Sequence, residues 1–183
     1  RTSMSYARFG LMILTSTVVM FGLMYLNTYE IEHVAWSQTR AWMALMMGGV
    51  MAVIMMGFMW GMYDKKGRNR AIMAAAVVVA AGALWFVRSQ ETVGDVSYME
   101  AMIPHHSIAV LTSSRAHIRD PRVRELADGI IKAQMQEIAE MRALIADMKA
   151  NPLPDGAPDL PALRPDDVAV NEAVEKALQP PSQ

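Results

Sequence analysis

The sequence of 183 residues is 53% hydrophobic and 19% charged, with a formal net charge of −1 and a mean hydropathy of +0.18. This apolar fraction is high for a soluble domain and is concentrated in the first half of the chain, which favours a membrane protein. The near-zero net charge argues against a nucleic acid as partner, because no basic face is large enough to collect phosphates. The absence of cysteine excludes disulfides, zinc–thiolate sites, iron–sulfur clusters and thiolate catalysis.

Three uncharged apolar runs predict transmembrane helices over residues 9–29, 41–63 and 71–87. As a helix, the first run would span about 31 Å, which matches the roughly 30 Å hydrocarbon core of a bilayer. A buried helix of a soluble protein is the alternative for any single run, but three runs in succession favour the membrane. We therefore expect a membrane domain over residues 1–88, with the lipid bilayer as its surroundings.

Basic residues near the ends of these runs predict the orientation of the chain. The loop at residues 64–70 carries four Lys and Arg residues, whereas the loop before the second run carries one, and Arg1 and Arg8 precede the first run. Lys and Arg accumulate in cytoplasmic loops. We therefore expect a bacterial inner-membrane protein with a cytoplasmic N-terminus and a periplasmic, extracytoplasmic C-terminal domain.

Methionine is the unusual residue of this sequence, with 18 in the chain. Five methionines of the second run recur at every fourth position and form a slowly drifting stripe on one helix face. They are Met43, Met47, Met51, Met55 and Met59. One interpretation is a ladder of thioethers for Cu(I), a soft metal that thioethers bind. The other, which we favour here, is adaptable apolar packing against helices or lipid.

Residues 95–150 predict a water-facing helical hairpin. The first helix is expected from about residue 96 to residue 118, with a kink or a break at Pro104. The second helix is expected to begin at Asp120, a good capping residue, and to end near residue 150. One hairpin buries too little apolar surface to be stable alone, so we expect a second copy or a partner to complete a four-helix bundle.

The remaining residues, 151–183, predict a Pro-rich tail. Their composition is typical of extended or disordered chain, with a short helix expected over residues 166–178. A solvated appendage and a strap that docks on a partner are both open interpretations of this tail.

Methionine and histidine side chains cluster on the first helix of the hairpin. Met99, Met102, His105 and His106 lie within eight residues of sequence. Imidazole binds both copper oxidation states, and thioether favours Cu(I), so this mixed cluster predicts a copper site. The alternative is structural, because adjacent histidines can hydrogen-bond to backbone groups that Pro104 leaves free.

The second helix contributes Glu137 and Met141 to the expected site. Glu137 would orient an imidazole through its free N–H, or bind the metal itself. His33, in the outer loop, and His117, near the hairpin turn, are candidates for a further ligand. The sequence shows no nucleophile–histidine–acid pattern, paired carboxylates or phosphate-binding glycine loop, so we expect no catalytic residues and no enzyme.

Several segments of the hairpin together resemble the bacterial domain of unknown function 305 family. They are Met102-Ile-Pro-His-His-Ser-Ile-Ala109, Arg119-Asp-Pro-Arg-Val-Arg-Glu-Leu-Ala127, Ile130-Ile-Lys-Ala-Gln134 and Glu137-Ile-Ala-Glu-Met141. The resemblance implies a ferritin-like helical fold over residues 95–150, and the N-terminal half looks like a membrane-anchored subgroup. Some members bind copper through Met and His, which implies Met102, His105 and His106 as ligands and less directly Glu137 and Met141. Copper-binding members often have a methionine two turns after the first histidine, where this chain has Thr112 or its neighbours Leu111 and Ser113.

The sequence therefore predicts an all-α protein with three transmembrane helices and an extracytoplasmic αα-hairpin. The leading functional hypothesis is copper sequestration or handling, with a copper ion bound mainly by His105 and His106 and by the soft ligands Met102 and Met99. The alternative is a structural or accessory subunit of a larger membrane complex, for example a respiratory one, without its own metal. The expected protein partner is accordingly a second copy, as a homodimer, or such a complex.

Overall fold

The computed structural model describes residues 5–179, which are helical throughout their regular parts and contain no strand. The all-α prediction is therefore confirmed. The helices are α1 (Tyr6–Leu23), α2 (Gln38–Phe58), α3 (Lys66–Ser89), α4 (Asp95–Arg115), α5 (Pro121–Ala150) and α6 (Asn171–Ala177). The chain divides into two compact units, residues 1–105 and residues 106–183. Arg1, used above to predict orientation, and the tail end at 180–183 lie outside the described residues.

Helices α1, α2 and α3 are long and apolar enough to cross a membrane, as the three uncharged runs predicted. Within an apolar stretch of 18 residues in each helix, only 6% of α1, 28% of α2 and 11% of α3 is buried inside the protein. Apolar helix faces that are exposed to this extent require a nonpolar solvent, and a helix is one of the two backbone structures that satisfy their own hydrogen bonds there. The first unit is therefore a membrane unit.

The ends of the first two spans differ from the uncharged runs. Helix α1 ends at Leu23, and Tyr25 and Leu26 donate i→i−3 hydrogen bonds of 3.2 and 3.1 Å in the turn that follows. Helix α2 begins at Gln38 because the Ser37 side chain caps it by accepting from the amide of Arg40 at 3.1 Å. Absence of charge locates apolar chain, but it does not distinguish helix from the tight turns beside it.

Helix α2 lies between α1 and α3, and two adjacent glycines provide the space. A Cβ atom at Gly48 would overlap the side chain of Thr17 on α1. A Cβ atom at Gly49 would lie 2.9 Å from the carbonyl oxygen of Ala76 and 3.0 Å from the Cβ of Ala80, both on α3. Small residues let helix backbones approach closely in membranes, where van der Waals packing drives association.

A buried polar cluster ties the three spans together at the end nearest the α2–α3 loop. The Tyr6 hydroxyl donates to Oδ1 of Asn69 at 2.6 Å, and the Asn69 amide donates to the carbonyls of Trp60 and Tyr63 at 3.4 Å. The side chains of Asn69 and Tyr63 are fully buried, and the Tyr63 ring packs edge-on against Phe9. Buried polar groups need such partners, so this cluster fixes how α1 meets α3.

Helices α4 and α5 form the hairpin that the sequence predicted, and the second unit contains this hairpin from His106 onward. Two contacts show that α4 and α5 run antiparallel, because Ser113 pairs with Arg124 while His106, earlier on α4, pairs with Glu137, later on α5. Helix α5 begins at Pro121 and ends at Ala150, as predicted.

The start of α5 is capped as expected. The side chain of Asp120 accepts from the backbone amide of Arg122 at 2.9 Å. The Arg122 guanidinium donates to the same carboxylate at 2.8 and 3.1 Å, and these hydrogen bonds lower the pKa of Asp120 to about 2. A carboxylate at the first turn also interacts favourably with the helix dipole.

Helix α4 differs from the prediction in two respects. It runs without interruption through Pro104, so of the expected kink or break the break does not occur, although a proline inside a helix removes one backbone hydrogen bond. It also ends at Arg115 rather than near residue 118, and residues 116–120 form the connection to α5. The side chain of Pro104 is buried, and this packing offsets the lost hydrogen bond.

The hairpin and the described part of the tail leave apolar groups exposed. On α5, Val123, Leu126 and Leu144 are 47%, 63% and 52% exposed. Residues 151–179 are exposed throughout, and the expected short helix is present as α6, somewhat shorter than predicted. Completion of a four-helix bundle by a second copy remains a prediction, and the exposed apolar side chains of α5 are compatible with it.

We predict that Gly49→Ala lowers the thermal unfolding midpoint of the detergent-solubilised protein. The added methyl group would meet the α3 backbone, and overpacking of this kind costs about 1–3 kcal/mol. Gly57→Ala is the matched control on the same helix, because no atom lies within 4 Å of its Cβ position. The unfolding midpoints are measured by scanning fluorimetry. Equal midpoints for the two variants would contradict the close approach of α2 and α3.

Candidate metal site

Helix α4 carries four of the six predicted ligands, and it presents them on different faces. Met99 is buried at 7% exposure, Met102 and His106 are partly buried, and His105 is exposed. Successive residues of a helix are rotated by about 100°, so the two histidines point in different directions. His106 is on the same side as the buried positions Ile103 and Val110.

The structure brings His106 and Glu137 together. Nε2 of His106 lies 2.6 Å from Oε2 of Glu137, which joins the middle of α4 to the middle of α5. The imidazole side chain is 12% exposed and the carboxylate is 49% exposed. The histidine is thus mostly shielded from water, while its carboxylate partner faces solvent on one side.

This contact fixes the roles of the two ring nitrogens. An ionised carboxylate only accepts hydrogen bonds, so with Glu137 in that form Nε2 of His106 is the donor. In a neutral ring with its proton on Nε2, the lone pair is on Nδ1. Carboxylate–histidine pairs of this kind set the tautomer and orientation of metal-binding histidines in many proteins.

Met141 follows Glu137 by one turn on α5 and is partly buried. Residues four apart are neighbours on a helix surface, so Met141 is on the face of α5 that carries Glu137. Met102 likewise precedes His106 by one turn within the continuous helix α4.

Sequence reasoning missed Arg124, which holds the hairpin near its turn. Its guanidinium donates to the carbonyl oxygen of Ser113 on α4 at 2.9 Å and forms an ion pair with Asp128 at 2.7 Å. The i,i+4 spacing of Arg124 and Asp128 was the available signal, but such pairs are common on exposed helices and do not reveal a contact with another helix. Arg124 therefore positions α4 on α5, rather than contributing a metal ligand.

Nitrogen and oxygen donors alone do not form a metal site here. In the described range 5–179, no three or more His, Asp and Glu side chains are grouped so that they could hold an ion. A copper site at His106 would therefore need thioether ligands, and a set of one imidazole with thioethers suits Cu(I) better than Cu(II).

The two additional histidines lie elsewhere. His33 is buried at 1% exposure in the loop after α1, with Nε2 3.7 Å from the carboxylate of Glu30. His117 is exposed in the connection between α4 and α5, eleven positions beyond His106. Because His117 is on a turn outside the helix, it supplies a useful control for substitutions at His106.

One protein of similar sequence matches most of this chain. An uncharacterised protein, L153, of Acanthamoeba polyphaga mimivirus is 27% identical over 146 residues, covering 75% of this chain and 93% of its own length. This coverage is too large to be confined to the hairpin and tail, so the similarity extends into the membrane unit. No solved structure matches the chain.

The family model described as domain of unknown function (DUF305) matches residues 95–177, which contain α4, α5 and α6. The match begins at the first residue of α4 and includes His106 and Glu137 together with the predicted thioether ligands. Residues 95–177, somewhat less than half of the chain, are therefore similar to the domain of unknown function 305 family.

Proposed function

We propose that this membrane protein binds copper as Cu(I) on its C-terminal hairpin and sequesters it or passes it on at the outer face of the membrane. The membrane unit would anchor the hairpin, and the hairpin would carry the metal. The contact between His106 and Glu137 is the observation that supports this proposal most strongly.

In this proposal Glu137 acts on the metal through His106. By accepting the Nε2 proton, the carboxylate holds the ring in one orientation and makes Nδ1 a better donor. Because the imidazole is 12% exposed, water competes weakly for Nδ1, whereas the half-exposed carboxylate keeps part of its hydration. Copper would supply no chemistry beyond being held and transferred.

Thioethers would complete the coordination of Cu(I). Met102, one turn before His106 on α4, is the first candidate, and Met141, one turn after Glu137 on α5, is the second. Met99 is a further turn along α4, and the exposed His105 would serve in capture or release of the ion. Thioether ligands select Cu(I), which is consistent with a donor set that lacks a third nitrogen or oxygen.

The extracytoplasmic location of the hairpin is proposed from the basic loop. Lys65, Lys66, Arg68 and Arg70 lie at the start of α3, on the side of the membrane opposite to its C-terminal end. Such loops remain in the cytoplasm. Since α3 crosses the membrane once, the chain that follows it would be outside.

We predict that His106→Ala removes the hairpin's share of the Cu(I) that the full chain binds tightly in detergent, as measured by competition with a chromogenic Cu(I) chelator. Glu137→Gln keeps the shape of the side chain but removes its charge, and it should weaken binding about 10- to 100-fold. His117→Ala, the control in the exposed turn, should bind like the native protein.

Circular dichroism would show that each variant remains helical. Native affinity in His106→Ala would contradict the proposal. A native protein that takes up no copper at all would favour the alternative, an accessory subunit of a membrane complex, and co-purification at fixed stoichiometry would then identify that complex.

Single-cysteine labelling tests the predicted orientation. Because the chain has no native cysteine, only the introduced residue can react. Ala116→Cys in the hairpin turn should react with a membrane-impermeant maleimide in intact cells without their outer membrane. Gly67→Cys in the basic loop should react only after lysis. The reverse pattern would contradict an extracytoplasmic hairpin.

A further inference from the structure

A groove in the membrane unit is lined almost entirely by methionine. It has a volume of about 430 Å³ and lies between α1 and α2. Its lining consists of Met20, Met46, Met47, Met51, Met55, Val50 and Ile54. No charged or hydrogen-bonding side chain is part of this lining.

The thioethers of this groove come from two helices. Met47, Met51 and Met55 lie on successive turns of α2, which places them over about 12 Å along the helix axis. Met20 comes from α1, on the other side of the groove. An ion between the helices could thus be bound from both sides, by Met20 and by two thioethers of α2.

Only part of the methionine stripe predicted from the sequence contributes to the groove. Met47, Met51 and Met55 line it, whereas Met43 and Met59 do not. Met59 packs instead against the buried cluster around Tyr63. Met20 is added by the packing of α1 on α2, which the spacing of residues along α2 does not reveal.

The methionines of this groove lie beside open space. Methionines that serve as packing fill irregular gaps between helices. Here five thioethers border a space that the protein leaves unfilled, while the tightly packed part of α2 uses Gly48 and Gly49 instead. A space lined by soft sulfur donors has the chemistry of a ligand site for a soft metal ion.

We propose that this groove binds a soft monovalent cation, Cu(I) or its analogue Ag(I), through Met20, Met47 and Met51. Hard cations would keep their water, because the groove offers them no oxygen ligands. The single charge matters as well, since no carboxylate is present to neutralise a divalent ion in the membrane. The groove is separate from the hairpin and does not depend on the copper site proposed there.

The test uses the full chain in detergent with His106→Ala, which removes the proposed hairpin ligand. Bound Ag(I) is measured by mass spectrometry of the metal after desalting. The groove variant adds Met20→Leu, Met47→Leu and Met51→Leu, which conserve side-chain volume while removing sulfur. The control adds Met12→Leu, Met43→Leu and Met62→Leu. It also changes one methionine of α1 and two later methionines, but none of the three lines the groove.

We expect the His106→Ala protein and the control to retain roughly one Ag(I) per chain and the groove variant to lose it. X-ray absorption of the bound metal should show sulfur neighbours alone. The proposal is overturned if the His106→Ala protein binds no Ag(I), if both triple variants lose it equally, or if nitrogen or oxygen neighbours dominate. Copper binding by the native hairpin is measured separately, so the two sites can fail independently.

Discussion

The hydrogen bond between His106 and Glu137 is the interaction on which the C-terminal domain depends for both its shape and its proposed chemistry. It joins the middle of α4 to the middle of α5 at 2.6 Å, while Arg124 holds the two helices together nearer the turn. Because the imidazole is mostly buried, the loss of its partner would leave a polar nitrogen poorly satisfied. The same hydrogen bond directs Nδ1 away from Glu137, so in the proposed function one contact would both support the hairpin and orient a metal ligand.

The membrane unit satisfies a different constraint, since lipid provides no hydrogen bonds and little drive for apolar side chains to associate. The three helices of the membrane unit are held together by close backbone contact at Gly48 and Gly49 and by the buried polar cluster around Asn69. Along the rest of the α1–α2 contact, packing is looser and methionines line the groove that remains. Thioethers are thus available both in the membrane and on the hairpin, which would suit a protein that handles Cu(I).

Much of this architecture could be predicted from the sequence, because its signals are local. Absence of charge located the three spans, and the cap at Asp120 located the start of α5. The continuity of α4 through Pro104 could not be predicted, since it depends on how that side chain is buried. Glu137 could be named from the sequence as a residue of the second hairpin helix that would orient an imidazole. Met20 could not, because only the packing of two spans places it in the groove.

The central claim is that Glu137 accepts the Nε2 proton of His106 and that Nδ1 is the atom that binds Cu(I). Nitrogen-15 NMR of the histidine-labelled full chain, assigned by comparison with His106→Ala, tests this most directly. The account predicts the Nε2–H tautomer in the metal-free protein and a large shift of Nδ1 when Cu(I) or Ag(I) is added to the native chain. A metal-free ring protonated at Nδ1 alone, or metal addition that leaves the His106 resonances unchanged, would contradict it.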